Sequence, residues 1–124
     1  MAHALLIEDD IFSTLILQEI LLANGHTVRL VYDGASALDL ITSDQNFEIA
    51  VVDLLLPNQI GLAVIRALRQ RSSTIAIIGI TGESDIAARE GTGDEAALRA
   101  GVNAIVKKPI SRPELSRQLK ILLP

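Results

Sequence analysis

The chain alternates between short apolar runs and longer stretches where apolar positions recur at helical spacing. Ala4-Leu5-Leu6-Ile7 is the first such run; it stops at Glu8-Asp9-Asp10 and predicts a buried strand. Across 11–24, Phe12, Ile16, Ile20 and Ala23 form a stripe that predicts a helix with that face in the core, ended by Asn24-Gly25. Residues 28–31 predict a second strand with Asp33-Gly34 as its turn, and 35–41 a second helix. A third strand over 49–52 leads to a loop bracketed by Pro57 and Gly61, then to a helix over 62–71 and a strand over 75–80. A fourth helix over 96–100 is closed by Gly101, and 104–106 is the fifth strand. Ser111 opens the last helix, with Pro113 and Glu114 in its first turn.

Five strand-then-helix units with short connections predict a parallel sheet with helices on both faces. The segment 82–95 departs from that pattern: it is polar, glycine-punctuated and longer than the other connections, and is expected to be mobile. At 124 residues the chain is expected to form one domain, 1–124. Aromatic residues are only 2% of it, so the core must be Leu, Ile, Val and Ala, which suits strands buried on both faces. The absence of cysteine excludes disulfides, thiolate metal sites and a thiol nucleophile. A net charge of -4 argues against nucleic acid or an anionic membrane as a direct partner. No apolar run is long enough to span a bilayer, and "MAHALLIEDD" lacks the charged start and long apolar centre of a signal peptide, so a cytoplasmic location is expected. No G-x-G-x-x-G or Walker A pattern is present, and nucleotide binding is not expected.

In open parallel sheets, ligands bind beyond the carboxyl ends of the strands. The first strand ends in Glu8, Asp9 and Asp10, the third in Asp53, the fourth in Thr81-Gly82 and the fifth in Lys107-Lys108-Pro109. The second brings only Tyr32 and Asp33, to which no role is assigned. Asp53 stands inside "AVVDLLLP", where a lone buried carboxylate is costly unless compensated. Taken singly, Asp53 reads equally well as a strand-end carboxylate paired with a lysine. Its convergence with Glu8, Asp9, Thr81 and Lys108 favours chemistry instead. Carboxylates without His or Cys suit a hard cation, Mg²⁺ rather than Zn²⁺, which would also relieve their mutual repulsion. A lysine and a hydroxyl opposite suit the remaining oxygens of a phosphoryl group, and Asp is a competent nucleophile for phosphoryl transfer. Asp10 is better read as the cap of the first helix, and Lys107 as solvated or structural. His3 and His26 fall outside the acidic cluster, which argues against the chain being its own phosphohistidine donor.

"LLIEDD", "VVDLLLP" with Gly61 beyond, "GITG" and "VKKP", in this order and spacing, resemble the receiver domain of two-component response regulators across essentially the whole chain. The resemblance implies a flavodoxin-like, doubly wound five-stranded parallel sheet, strand order 2-1-3-4-5, with five helices. It implies that Asp53 is phosphorylated by a partner's phosphohistidine, that Asp9 binds Mg²⁺ directly and that Glu8 acts through water. By the same resemblance Asp53 and the backbone carbonyl of Leu55 complete the metal ligands, Lys108 binds the phosphate and the Thr81 hydroxyl swings toward it. A cis peptide before Pro109 is also implied. Three departures stand out. Ile105 occupies the position of the switch aromatic, the segment between Thr81 and Gly101 is longer than usual, and Gly82 replaces a common Ala, which is expected to leave the site open.

A second apolar set on the first helix, Ile11, Leu15 and Leu22, has two readings: packing against Leu119, Leu122 and Leu123 of the last helix, or a docking surface for a kinase or phosphotransfer helix. The expected function is a phosphoryl-accepting receiver served by a histidine kinase or histidine phosphotransfer protein. It catalyses its own aspartyl phosphorylation without being a conventional enzyme. Two rivals are a pseudo-receiver that signals without phosphate and a small aspartate-nucleophile phosphatase. The latter calls for a second Asp two residues after the nucleophile, where this chain has Leu55.

Overall fold

Five apolar runs form strands: β1 (His3–Ile7), β2 (Thr27–Val31), β3 (Ile49–Asp53), β4 (Ala76–Thr81) and β5 (Ala104–Lys107). The described helices are α1 (Ile11–Ala23), α2 (Gly34–Ile41), α3 (Ile60–Arg71), α4 (Asp94–Ala100) and α5 (Arg112–Leu122). The computed structural model describes residues 2–43, 46–56, 60–82 and 94–123, so most of the segment 82–95, with its expected mobility, lies outside the described residues.

The strands make one sheet in the order β2-β1-β3-β4-β5, every pair parallel. β3 and β4 are buried at every position, as central strands covered on both faces must be. Successive side chains feed opposite layers. Leu5, Val52 and Ile77 join Ala37, Ile65 and Ala97 of α2, α3 and α4 on one face, while Leu6, Val51 and Ile78 join Leu17, Leu21 and Leu115 of α1 and α5 on the other. This is the doubly wound, flavodoxin-like arrangement expected.

Local chemistry sets the helix starts. Asp10 caps α1 by accepting the Ser13 N–H at 3.0 Å, as expected, and Ser111 caps α5. Asp33, left without a role above, caps α2 through the Ser36 N–H at 2.7 Å. Gly61 lets α3 start against the end of β3: a Cβ there would lie 2.8 Å from the Asp53 carbonyl oxygen.

The orientation of α1 differs from expectation. Of the stripe Phe12, Ile16, Ile20 and Ala23, only Ile20 is buried; Phe12 is 73% exposed. The face in the core is Ser13, Thr14, Leu17, Ile20 and Leu21. "IFSTLILQEILLA" is apolar nearly all round, so no polar stripe marks its outside. Two small hydroxyl residues can turn inward because each finds an acceptor nearby, Ser13 on Asp10 and Thr14 on the Glu8 carbonyl. Ile11, Leu15 and Leu22 are therefore 60%, 59% and 53% exposed rather than covered by α5. Contacts between these two helices include the Glu19–Arg112 ion pair and a hydrogen bond from Asn24 to Ser116, while Leu119 faces the core. Among the described residues no helix is long and apolar enough to cross a membrane.

Candidate functional site

Register brings the polar strand ends together. Ile7 pairs with Val52, Asp53 with Ile80, and Thr81 with Lys107, so Glu8, Asp53, Thr81 and Lys108 come from four adjacent strand ends along one edge. Glu8 is fully buried, Asp53 and Thr81 almost so, and Asp9 is exposed. One carboxylate oxygen from each of Glu8, Asp9 and Asp53 lies within 4.8 Å of the others.

Each group is held in place. Glu8 Oε1 accepts the Asp10 N–H at 3.0 Å, and Asp53 Oδ1 accepts the Leu55 N–H at 2.9 Å. Lys108 donates its backbone N–H to the Thr81 carbonyl at 2.8 Å, and its peptide bond to Pro109 is cis. Its Nζ lies 3.3 Å from Glu8 Oε2 and 3.8 Å from Asp53 Oδ2. Burial pushes the Glu8 carboxyl up to about 7 against the pull of the Asp10 N–H; nearby Asp53 raises it further and Lys108 opposes.

Among the described residues the buried Thr81 Oγ1 has no hydrogen-bond partner, while Glu8 Oε2 has only its ion pair with Lys108 at 3.3 Å. Leaving a buried hydroxyl unsatisfied costs about 1–3 kcal/mol, which a hydrogen-bonding group arriving from solution would relieve. A donor set of carboxylates alone fits a hard divalent cation; the Thr81 hydroxyl fits an anionic oxygen.

The model of the response regulator receiver domain matches residues 4–120. The chain belongs to the response-regulator receiver family. It is 33% identical over 119 residues to the response regulator MprA of Mycobacterium avium, and 34% to MprA of Mycolicibacterium vanbaalenii, covering 96% of this chain in each case. The receiver spans about half the length of these curated relatives, 50% and 49%. Among solved structures, the receiver domain of a sensor histidine kinase from Pseudomonas aeruginosa superposes with TM-score 0.81 at 28% identity, covering 98% of this chain and 96% of that one. That domain has a magnesium ion coordinated in its active-site cleft. A receiver domain from Clostridium thermocellum, at 19% identity and TM-score 0.84, covers 99% of this chain and 94% of that one and shares the fold.

The receiver thus brings Glu8, Asp9, Asp53 and Lys108 together, with Thr81 at the neighbouring strand end. Ile105 is half-buried against the core beneath α2, α3 and α4, an aliphatic group where an aromatic was the family expectation. Lys107 is exposed. His3 and His26 lie at the opposite end of the sheet: His3 meets Thr27 and Glu48, and His26 accepts the Ala2 N–H. Beside Gly82, the Leu55 side chain occupies the space that a Cβ at residue 82 would take. The run "DLLLP" offered no sign of this contact, which joins the segments that follow β3 and β4.

Proposed function

We propose that the receiver accepts a phosphoryl group on Asp53 from the phosphohistidine of a histidine kinase or histidine phosphotransfer protein. The observation that carries this reading is the approach of one oxygen from each of three carboxylates to within 4.8 Å, beside Lys108, with the buried Thr81 Oγ1 at the neighbouring strand end left without a hydrogen-bond partner. Glu8, Asp9, Asp53 and the backbone carbonyl of Leu55 would hold Mg²⁺, with Glu8 acting through water. Bound there, the ion supplies the positive charge that lets an anionic donor approach an acidic site. An Asp53 carboxylate oxygen attacks phosphorus, the P–N bond of the donor breaks, and the imidazole nitrogen keeps the electron pair. Lys108 and the Thr81 hydroxyl then donate hydrogen bonds to phosphoryl oxygens. The new charge, about -1.5 to -2, draws both inward and shifts the balance between two arrangements around Gly82.

The exposed apolar face of α1, with Ile11, Leu15 and Leu22, is the docking surface for the donor's helix. It begins one residue after Asp10, at the edge of the acidic site. The domain catalyses its own modification without being a conventional enzyme, works in the cytoplasm, and does not itself contact nucleic acid or membrane. An aspartate phosphatase is disfavoured by Leu55, which stands where that chemistry calls for a second Asp.

Ile105 favours one alternative, a pseudo-receiver that signals without phosphate, because the usual coupling of hydroxyl to aromatic rotamer has no aromatic here. Titrating Mg²⁺ while following the thermal midpoint separates the two. A rise in wild type that vanishes in Asp9→Asn supports the receiver chemistry; no rise in either supports the pseudo-receiver.

A further inference from the structure

A cavity of about 270 Å³ lies where α2 leads into β3 and α3 into β4, at the end of the sheet away from Asp53. Its apolar floor is Ile41, which ends α2, Leu68 in the last turn of α3, Phe47 just before β3 and Ile75 just before β4. Ile41, Leu68 and Ile75 are buried, so the cavity reaches into the core layer beneath α2 and α3. Phe47 is held by stacking on the His3 ring, with centroids 5.0 Å apart. Of the polar groups around it, Ser72 Oγ is already committed, accepting the N–H groups of Thr74 and Ile75 at 3.2 and 3.3 Å. Arg71 is not. It is exposed and lines both this cavity and a more open groove of about 540 Å³ that runs past Thr42 and Gln70. Its Nη1 donates to the Ile41 carbonyl at the end of α2, which holds the guanidinium beside the cavity. Its Nε and Nη2 have no partner among the described residues, and no described carboxylate pairs with it.

We infer that this cavity is a binding site for a small carboxylate with an apolar body, one ring or a short chain, whose charged end pairs with Arg71. The site is independent of the phosphoryl chemistry, which occupies the opposite end of the sheet. Ligand cavities are mostly apolar, with a few polar groups that fix orientation, and this one is built that way. A cavity of about 150 Å³ lined by Leu, Ile and Phe accepts benzene, so the larger volume here takes a ring and a short arm. Seating that ring on Ile41, Leu68 and Ile75 removes apolar surface from water. The Nε–Nη2 edge of Arg71 offers two parallel donors, the fork that matches a carboxylate. A bare inorganic anion would leave the apolar floor unused, and a neutral hydrocarbon would leave the fork unused. Occupancy gives the receiver a second chemical input beside the start of the strand that ends in Asp53.

The test is a titration of the intact protein with phenylacetate, acetate and benzyl alcohol, followed by backbone amide NMR shifts. Phenylacetate should give saturable shifts at Phe47, Ser72 and Ile75 while Glu8, Asp53 and Thr81 stay still. Acetate lacks the ring and benzyl alcohol lacks the charge, so each should bind at least roughly tenfold more weakly. Arg71→Met keeps the aliphatic stem and removes the fork; it should bring phenylacetate down to the level of benzyl alcohol and leave benzyl alcohol unchanged. Acetate binding as tightly as phenylacetate would reduce the site to a surface arginine and overturn the inference. Shifts that fail to saturate, that move to the acidic end, or that persist unweakened in Arg71→Met would overturn it as well. The comparison of the three probes in wild type decides the matter even if the variant does not fold.

Discussion

The ammonium group of Lys108 lies 3.3 Å from the fully buried carboxylate of Glu8. The two residues are 100 positions apart in the chain and meet because β5 ends beside β4 and β1 ends beside β3. Lys108 Nζ also lies 3.8 Å from Asp53 Oδ2. Its removal leaves two buried carboxyl groups facing each other.

Lys108→Ala is expected to lower the stability of the metal-free protein by about 1–3 kcal/mol, because a buried carboxylate loses its compensation. Millimolar Mg²⁺ should narrow that deficit by replacing the lost positive charge. Urea denaturation with and without Mg²⁺ checks both parts; an unchanged deficit would mean that the lysine acts through packing alone.

The strand-end chemistry was legible because it is carried by residue type at positions that the strand periodicity already marks. Asp53 closing an apolar run, and Lys108 before Pro109, need no tertiary information to be noticed. The rotation of α1 was not legible. Its outward residues Phe12, Leu15 and Ile16 are as apolar as its inward ones, and the choice turns on where Ser13 and Thr14 find acceptors. Contacts between distant residues were equally silent: nothing in the composition of 55 or 82 announces that one fills the other's space.

Arg69 shows a third contact of this kind. It donates Nε to the Gly101 carbonyl at 2.9 Å, Nη1 to the Ile75 carbonyl at 2.6 Å and Nη2 to Asn103 Oδ1 at 2.7 Å, an oxygen that also accepts the Ile77 N–H. This ties the C-terminal ends of α3 and α4 to the starts of β4 and β5. Arg69→Met keeps the aliphatic stem and strands these acceptors, and should cost about 2–4 kcal/mol in urea denaturation. Arg69→Lys should not restore it, since an ammonium cannot span the same fork of acceptors.

His26 makes stability depend on pH. Burial lowers its pKa below the ordinary 6.5, against the opposing charge of Glu48, and its Nδ1 accepts the Ala2 N–H only when unprotonated. The stabilisation is therefore full above about 6.5 and is lost as pH falls through the lowered folded value. Glu8, pushed up to about 7, acts in the opposite sense in metal-free protein, losing stability as pH rises from its ordinary value through 7. Comparing urea midpoints at acid and neutral pH for wild type and His26→Gln cancels that common contribution. The wild type should lose more stability on acidification; parallel profiles would remove His26 from the account.

The α1 surface predicts a difference between donors. Leu15→Glu and Leu22→Glu place charge on an exposed face, so folding should survive. Transfer from a phosphohistidine protein should slow by roughly tenfold, about 1.4 kcal/mol of lost docking energy, and far more than labelling by acetyl phosphate. Equal rates with the protein donor would mean that it docks elsewhere.

The most direct test of the central claim is the intact mass of the protein after incubation with acetyl phosphate, with and without Mg²⁺, for wild type and Asp53→Asn. One added phosphoryl group that requires both Mg²⁺ and Asp53 is the predicted result. An adduct that persists in Asp53→Asn, or no adduct from either acetyl phosphate or a phosphohistidine donor, would contradict it.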